Sequence, residues 1–119
     1  MDFQHEVIIC IVNEGFSETA MDAARPAGAT GGTVMRAHGT ASPDAEKYYG
    51  ITVTPHKEIV MILTDKEHRN GILKALYAAC GPTLPAQGIA FALPVDGVAG
   101  LGENAAAKPQ PQENDPAAK

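Results

Sequence analysis

The sequence predicts an α+β domain of split-βαβ order, and three observations predict it. Four short segments read as strands: the apolar run VIICIV (7–12), the alternating TVMRAH (Thr33–His38), and the apolar runs KEIVMIL (57–63) and IAFALPV (Ile89–Val95). Two segments with helical spacing, ETAMDAA and TDKEHRNGILKALYAAC, follow the first and third of these strands. The chain has 119 residues, 45% of them hydrophobic and only 5% aromatic, which allows one core built from Val, Ile, Leu and Ala.

Taken in order, VIICIV is continuously apolar, the pattern of a central strand buried on both faces. NEGF breaks it, and Ser17 is the expected N-cap of a first helix whose stripe carries Met21 and Ala24. Pro26 and Gly28 end that helix, so the glycine-rich stretch GATGGTVMRAHGT begins where a helix stops. TVMRAH alternates, which places Arg36 and His38 on one face of a second strand. A polar insert at 39–55 follows, and its PDAEKYY has the composition of a short helix with Pro43 at its start. KEIVMIL is the third strand. The next helix has Thr64 and Glu67 in capping-box positions and Ile72, Leu73, Leu76, Tyr77 and Cys80 on its apolar stripe. GPTLPAQG is a loop and IAFALPV the fourth strand. From Glu103 onward nothing apolar enough to bury remains, so residues 103–119 read as a disordered tail beyond a domain of residues 1–102.

The order β-α-β-β-α-β is the ferredoxin-like pattern, one sheet with two helices on one face. Because the first and third strands are apolar throughout, the other face should also be covered, and a second copy of the chain is the expected cover. The formal charge of −5 leaves no basic stripe to neutralise phosphates, which excludes general nucleic-acid binding. Cys10 and Cys80 lie in apolar runs without metal-ligand spacing and read as reduced, buried thiols. MDFQHE lacks the basic character of a secretory leader, and no apolar run is long enough to span a bilayer, so a cytoplasmic protein is expected. His5, His38, His56 and His68 show no i, i+4 spacing, and no nucleophile–base pair or carboxylate pair stands out; neither a metal site nor an enzyme is expected.

In AGATGGTVMRAHGT, the insert that follows it, KEIVMILTDKEHRNGILKAL and GPTLPAQGIAF, the chain resembles the P-II family of nitrogen regulatory proteins. The resemblance runs over roughly 7–101 and implies a homotrimer in which an adenine nucleotide (ATP, ADP or AMP) or another small effector occupies the cleft between subunits. It further implies that the insert at 39–55 is a T-loop that docks on a target protein, such as a membrane transporter or an enzyme. Carried onto this sequence, Thr33 matches the threonine near the nucleoside, Gly39 the glycine at the T-loop base, and Gly88 the last glycine of the B-loop. The sequence departs from the family at Ile89, where a lysine is usual, and in DGVAGLGE, which has none of the family's arginines. Arg36, His38, His56 and Lys57 are then the cations left to meet an anion, and weaker nucleotide binding is expected than a full lysine-and-arginine clamp would give. Tyr48 and Tyr49 stand outside the family's modification motif. The alternative reading is a trimeric, divalent-metal-binding protein similar to the CutA family.

Overall fold

A computed structural model describes residues 3–40 and 55–101. The expected short helix around Pro43, the tyrosines at 48 and 49, and the tail after Glu103 lie outside these residues. The elements are β1 (His5–Asn13), α1 (Ser17–Ala24), a single 3-10 turn (Arg25–Ala27), β2 (Thr33–His38), β3 (His56–Asp65), α2 (Lys66–Cys80) and β4 (Ile89–Val95). The strands form one antiparallel sheet in the order β2-β3-β1-β4. This is the ferredoxin-like α+β fold that the element order predicts.

Both helices lie on one face of the sheet. Ile8, Cys10 and Val12 of β1 and Val60 and Ile62 of β3 are buried there against Ala20, Met21 and Ala24 of α1 and Ile72, Leu76 and Cys80 of α2. The second face carries Val7, Ile9 and Ile11, which alternate with the buried residues and remain only half covered. Cross-strand register adds Ile59, Met61 and Leu63, then Met35, and on the other side Ile89, Phe91 and Leu93. Leu63, Met35, Ile89, Phe91 and Leu93 are exposed in the single chain. A continuous apolar surface therefore runs across all four strands, opposite the helices.

The helix ends differ in detail from the sequence expectation. Ser17 does not cap α1 with its side chain; the helix starts after Phe16, and the Ser17 N–H donates instead to Glu58 Oε1 on β3 at 3.0 Å. The cap is thus tertiary, reaching across 41 positions of sequence. At α2 the cap is Asp65, one residue beyond Thr64, and its carboxylate accepts from the His68 N–H at 3.1 Å. Thr64 belongs to β3 and is buried, because the strand continues to Asp65. Tyr77, expected on the buried stripe, is 71% exposed. The stripe narrows towards its C-terminal end to Leu76 and Cys80.

Gly28 has φ 120°, and a Cβ there would run into the His68 ring, so the start of the glycine-rich stretch packs against the first turn of α2. Two features of this stretch thus have local explanations. The turn needs a left-handed residue, and α2 leaves no room for a side chain.

Candidate functional site

One end of the sheet gathers four chain segments. These are the end of β1 (Asn13, Glu14), the end of β2 (Arg36, His38, Gly39), the start of β3 (Pro55, His56, Lys57) and the loop at 81–88. Backbone hydrogen bonds tie them together: Asn13 N–H to the Ala86 carbonyl at 2.9 Å, Glu14 N–H to His56 at 3.1 Å and Gly39 N–H to Pro55 at 2.8 Å. Asn13 is the hub. Its Nδ2 donates to the Pro85 carbonyl at 3.1 Å and to Gln87 Oε1 at 3.3 Å, while its Oδ1 accepts from Lys57 Nζ at 2.7 Å. Gln87 sits at φ 47°, the one non-glycine residue with positive φ among the described residues. Such a conformation is held only where the surroundings over-determine it.

The side chains divide between the two faces. Arg36 and His38 pair in register with Glu58 and His56 and share the helix side of the sheet, as their alternation predicts. Arg36 Nη1 bonds Glu14 Oε2 at 3.0 Å, with the guanidinium otherwise well exposed. Glu58, next along on the same face, is nearly buried. Its carboxyl is held below the usual range, first by the Ser17 hydroxyl; burial opposes this, and backbone donors at Gly15 and Ser17 and the nearby Arg36 charge add to the lowering. Lys57 pairs with Asn13 and with Ala37, and so lies on the open, apolar face.

Thr33 lies elsewhere. It starts β2, opposite Met61 on the open face, about 16 Å along the strand from His38. There it helps line a shallow pocket of about 360 Å³ with Gly31, Gly32, Met61, Leu63 and Leu101. The stretch from Gly28 to Thr40 therefore serves both ends of the sheet, a glycine-lined pocket at one and a polar cluster at the other. No single chain brings these two ends together.

Gly39 and Gly88, which the resemblance matches to glycines of the nucleotide cleft, both have their N–H donors engaged internally. Gly39 bonds Pro55, and Gly88 bonds the Cys80 carbonyl at 2.7 Å. At Gly88 a Cβ would stand 2.5 Å from that carbonyl oxygen, so packing alone requires the glycine. Gly39 has only ordinary contacts around its Cβ position. A second pocket of about 360 Å³, between α2 and β4, is apolar and contains no charged side chain. Cys10 and Cys80 line it as free thiols. Burial, with a smaller contribution from Cys80, pushes the Cys10 thiol up to about 11, and burial also raises Cys80. Both are neutral and unreactive at physiological pH.

Sequence reasoning passed over Asn13, Glu14, Glu58 and Gln87. The available signal was the abrupt change from VIICIV to Asn-Glu at the end of a central strand, the place where polar groups meet ligands in open sheets.

No protein-family profile matches the sequence, and no curated protein matches it. Solved structures do. The chain superimposes on the Arabidopsis thaliana PII protein bound to citrate with a TM-score of 0.58 at 19% identity, covering 79% of this chain and 77% of that one. It superimposes on the Bacillus subtilis GlnK–ATP complex with a TM-score of 0.62 at 14% identity, covering 78% and 84%. The chain has the P-II fold. In a P-II fold the polar cluster stands at the base of the 39–55 excursion, and the sheet order, helix placement and long connection between β2 and β3 are all accounted for. Identity this low carries the fold and leaves the ligand to the residues themselves. No helix among the described residues is long and apolar enough to cross a membrane.

Proposed function

We propose that the protein is a P-II-like trimeric regulator rather than an enzyme, with a small anionic effector, an adenine nucleotide among the candidates, bound between subunits. The observation that carries this reading is the separation of the two halves of the site. Thr33 and its glycine-lined pocket stand at one end of the sheet, and Arg36, His38, Gly39, Lys57 and the Gly88 loop at the other. A neighbour placed against the open face would bring one chain's pocket to another chain's Lys57, and Arg36 and His38, on the helix side of the edge strand β2, would meet the anion around that edge. Both solved neighbours carry an anionic ligand, citrate in one and ATP in the other, which supports an anion as the effector.

In this reading Arg36, His38 and Lys57 hold the anion with their side chains, because the N–H groups of Gly39 and Gly88 are engaged within the chain. The Arg36 guanidinium stays largely exposed beside its bond to Glu14. Ile89 adds no cation, so a triphosphate is held less tightly than by a lysine there. Effector contacts at Gly39 and Lys57 then bias the 39–55 segment, which docks on a target protein from the cytoplasm; a ligand moves such an equilibrium by its differential affinity for the two arrangements.

Calorimetry with ATP, ADP, AMP and citrate tests the reading. Arg36→Ala and His38→Ala should each weaken binding of the favoured anion by about 1.5–3 kcal/mol if they make charge-assisted bonds. Unchanged binding in both, with the assembly intact, would remove the polar cluster from the site.

A further inference from the structure

We propose that His38 and His56 together chelate a divalent transition-metal ion across β2 and β3, forming a clasp where the chain leaves the sheet after Gly39 and returns at Pro55. The two histidines are 18 positions apart in sequence, and only the register brings them opposite one another. Their pairing type follows from the next rung. The Gly39 N–H donates to the Pro55 carbonyl at 2.8 Å, which makes 39 and 55 a hydrogen-bonded pair. Hydrogen-bonded and open pairs alternate along an antiparallel ladder, so His38 and His56 form an open pair, the closer kind, with Cα atoms about 4.5 Å apart. Their side chains leave the sheet on the same face, and both residues are exposed.

That geometry suits imidazole ligands. An ion with two nitrogens at about 2.0–2.1 Å needs those nitrogens roughly 3 Å apart, within reach of two rings rooted on directly opposed residues. The charges on this face accept a dication. Arg36 is balanced by Glu14 at 3.0 Å, and Glu58 stands beside them with its carboxyl ionised. No group of three or more His, Cys, Asp or Glu side chains suited to a metal occurs among the described residues; within them the site has two protein ligands, and water can complete the shell. Neutral imidazole donors favour zinc, nickel and copper over magnesium or calcium. The pair escapes a search by sequence spacing because cross-strand opposition leaves no fixed interval. The inference stands whether or not an anion binds between subunits.

The test is titration of the full-length protein with zinc chloride, and separately nickel chloride, followed by calorimetry and by histidine side-chain ¹⁵N chemical shifts. One equivalent per chain should bind, with the ring nitrogens of His38 and His56 shifting together. His38→Asn and His56→Asn should each weaken binding about tenfold or more, and the double variant should bind little worse than either single one. His5→Asn and His68→Asn should bind as the parent does. Far-ultraviolet circular dichroism of each variant checks that these substitutions leave the fold intact. Absence of saturation below millimolar metal overturns the proposal. So does parent-like affinity in either His38→Asn or His56→Asn, or loss of binding in the His5 or His68 variant instead.

Discussion

Two residues show how position, more than residue type, decides consequence. Glu58 sits on a strand, yet it caps α1 by accepting the Ser17 N–H at 3.0 Å while being only 9% exposed. Glu58→Ala removes that cap and should cost about 1–2 kcal/mol in urea unfolding, whereas Glu58→Gln, which keeps an acceptor oxygen, should cost less. The carboxyl's pKa in the folded protein lies below its ordinary value of 4.5. A depressed pKa stabilises the fold above the ordinary value, and that contribution is lost as pH falls through the folded one. The parent should therefore lose stability from about pH 4.5 downward, and the Glu58→Gln variant should show a shallower loss over the same range. Gly88 makes a second case. A methyl group at Gly88 meets the Cys80 carbonyl oxygen at 2.5 Å and Val12 Cγ1 at 3.0 Å, so Gly88→Ala should cost about 1–3 kcal/mol by forcing backbone movement. At Gly31 nothing lies within 4 Å of the added methyl, and Gly31→Ala should change stability by less than about 0.5 kcal/mol.

At the scale of elements, Asp65→Ala should cost about 1 kcal/mol by leaving the first turn of α2 without its acceptor, measurable as a lower denaturation midpoint. Desolvation raises the Asp65 carboxyl, but the bonds from the His68 ring and backbone outweigh it and leave the group below its usual range. The cap also explains what was legible in the sequence. The bounds of β2 followed from alternation between flanking glycines, those of β4 from its apolar run, and both helices from their apolar stripes. Their caps did not follow, because Glu58 acts across 41 positions and because Asp65 competes with Thr64 one residue away, a contest the length of β3 decides. The candidate site was half legible. Alternation put Arg36 and His38 on one face and shows equally that Thr33 belongs to the other. The Asn13 bonds to Lys57, Pro85 and Gln87, and the use of the Gly39 and Gly88 donors inside the chain, are products of tertiary closure that no local pattern records.

At the scale of the molecule, the open face of the sheet is what one chain leaves undone. Ile9 and Phe91 stand opposite one another near its centre, flanked by Val7 and Leu93 and by Ile11 and Ile89, and Phe91 remains 42% exposed. An apolar surface crossing four strands is far costlier to leave in water than scattered exposed residues, and a closed assembly of identical copies would cover it at every position at once. Light scattering should give a mass three times 12.4 kDa. Phe91→Glu places a charge at the centre of that face, where burial without a partner is prohibitive, and should yield a monomer whose helices survive by circular dichroism. The same variant separates two ways of losing the effector. If the site is shared between subunits, Phe91→Glu abolishes anion binding although every candidate contact residue is present, while Arg36→Ala weakens binding in an intact trimer. A monomeric Phe91→Glu protein that binds the anion as the parent does would place the whole site within one chain, and a parent that is already monomeric at micromolar concentration would remove the shared cleft altogether.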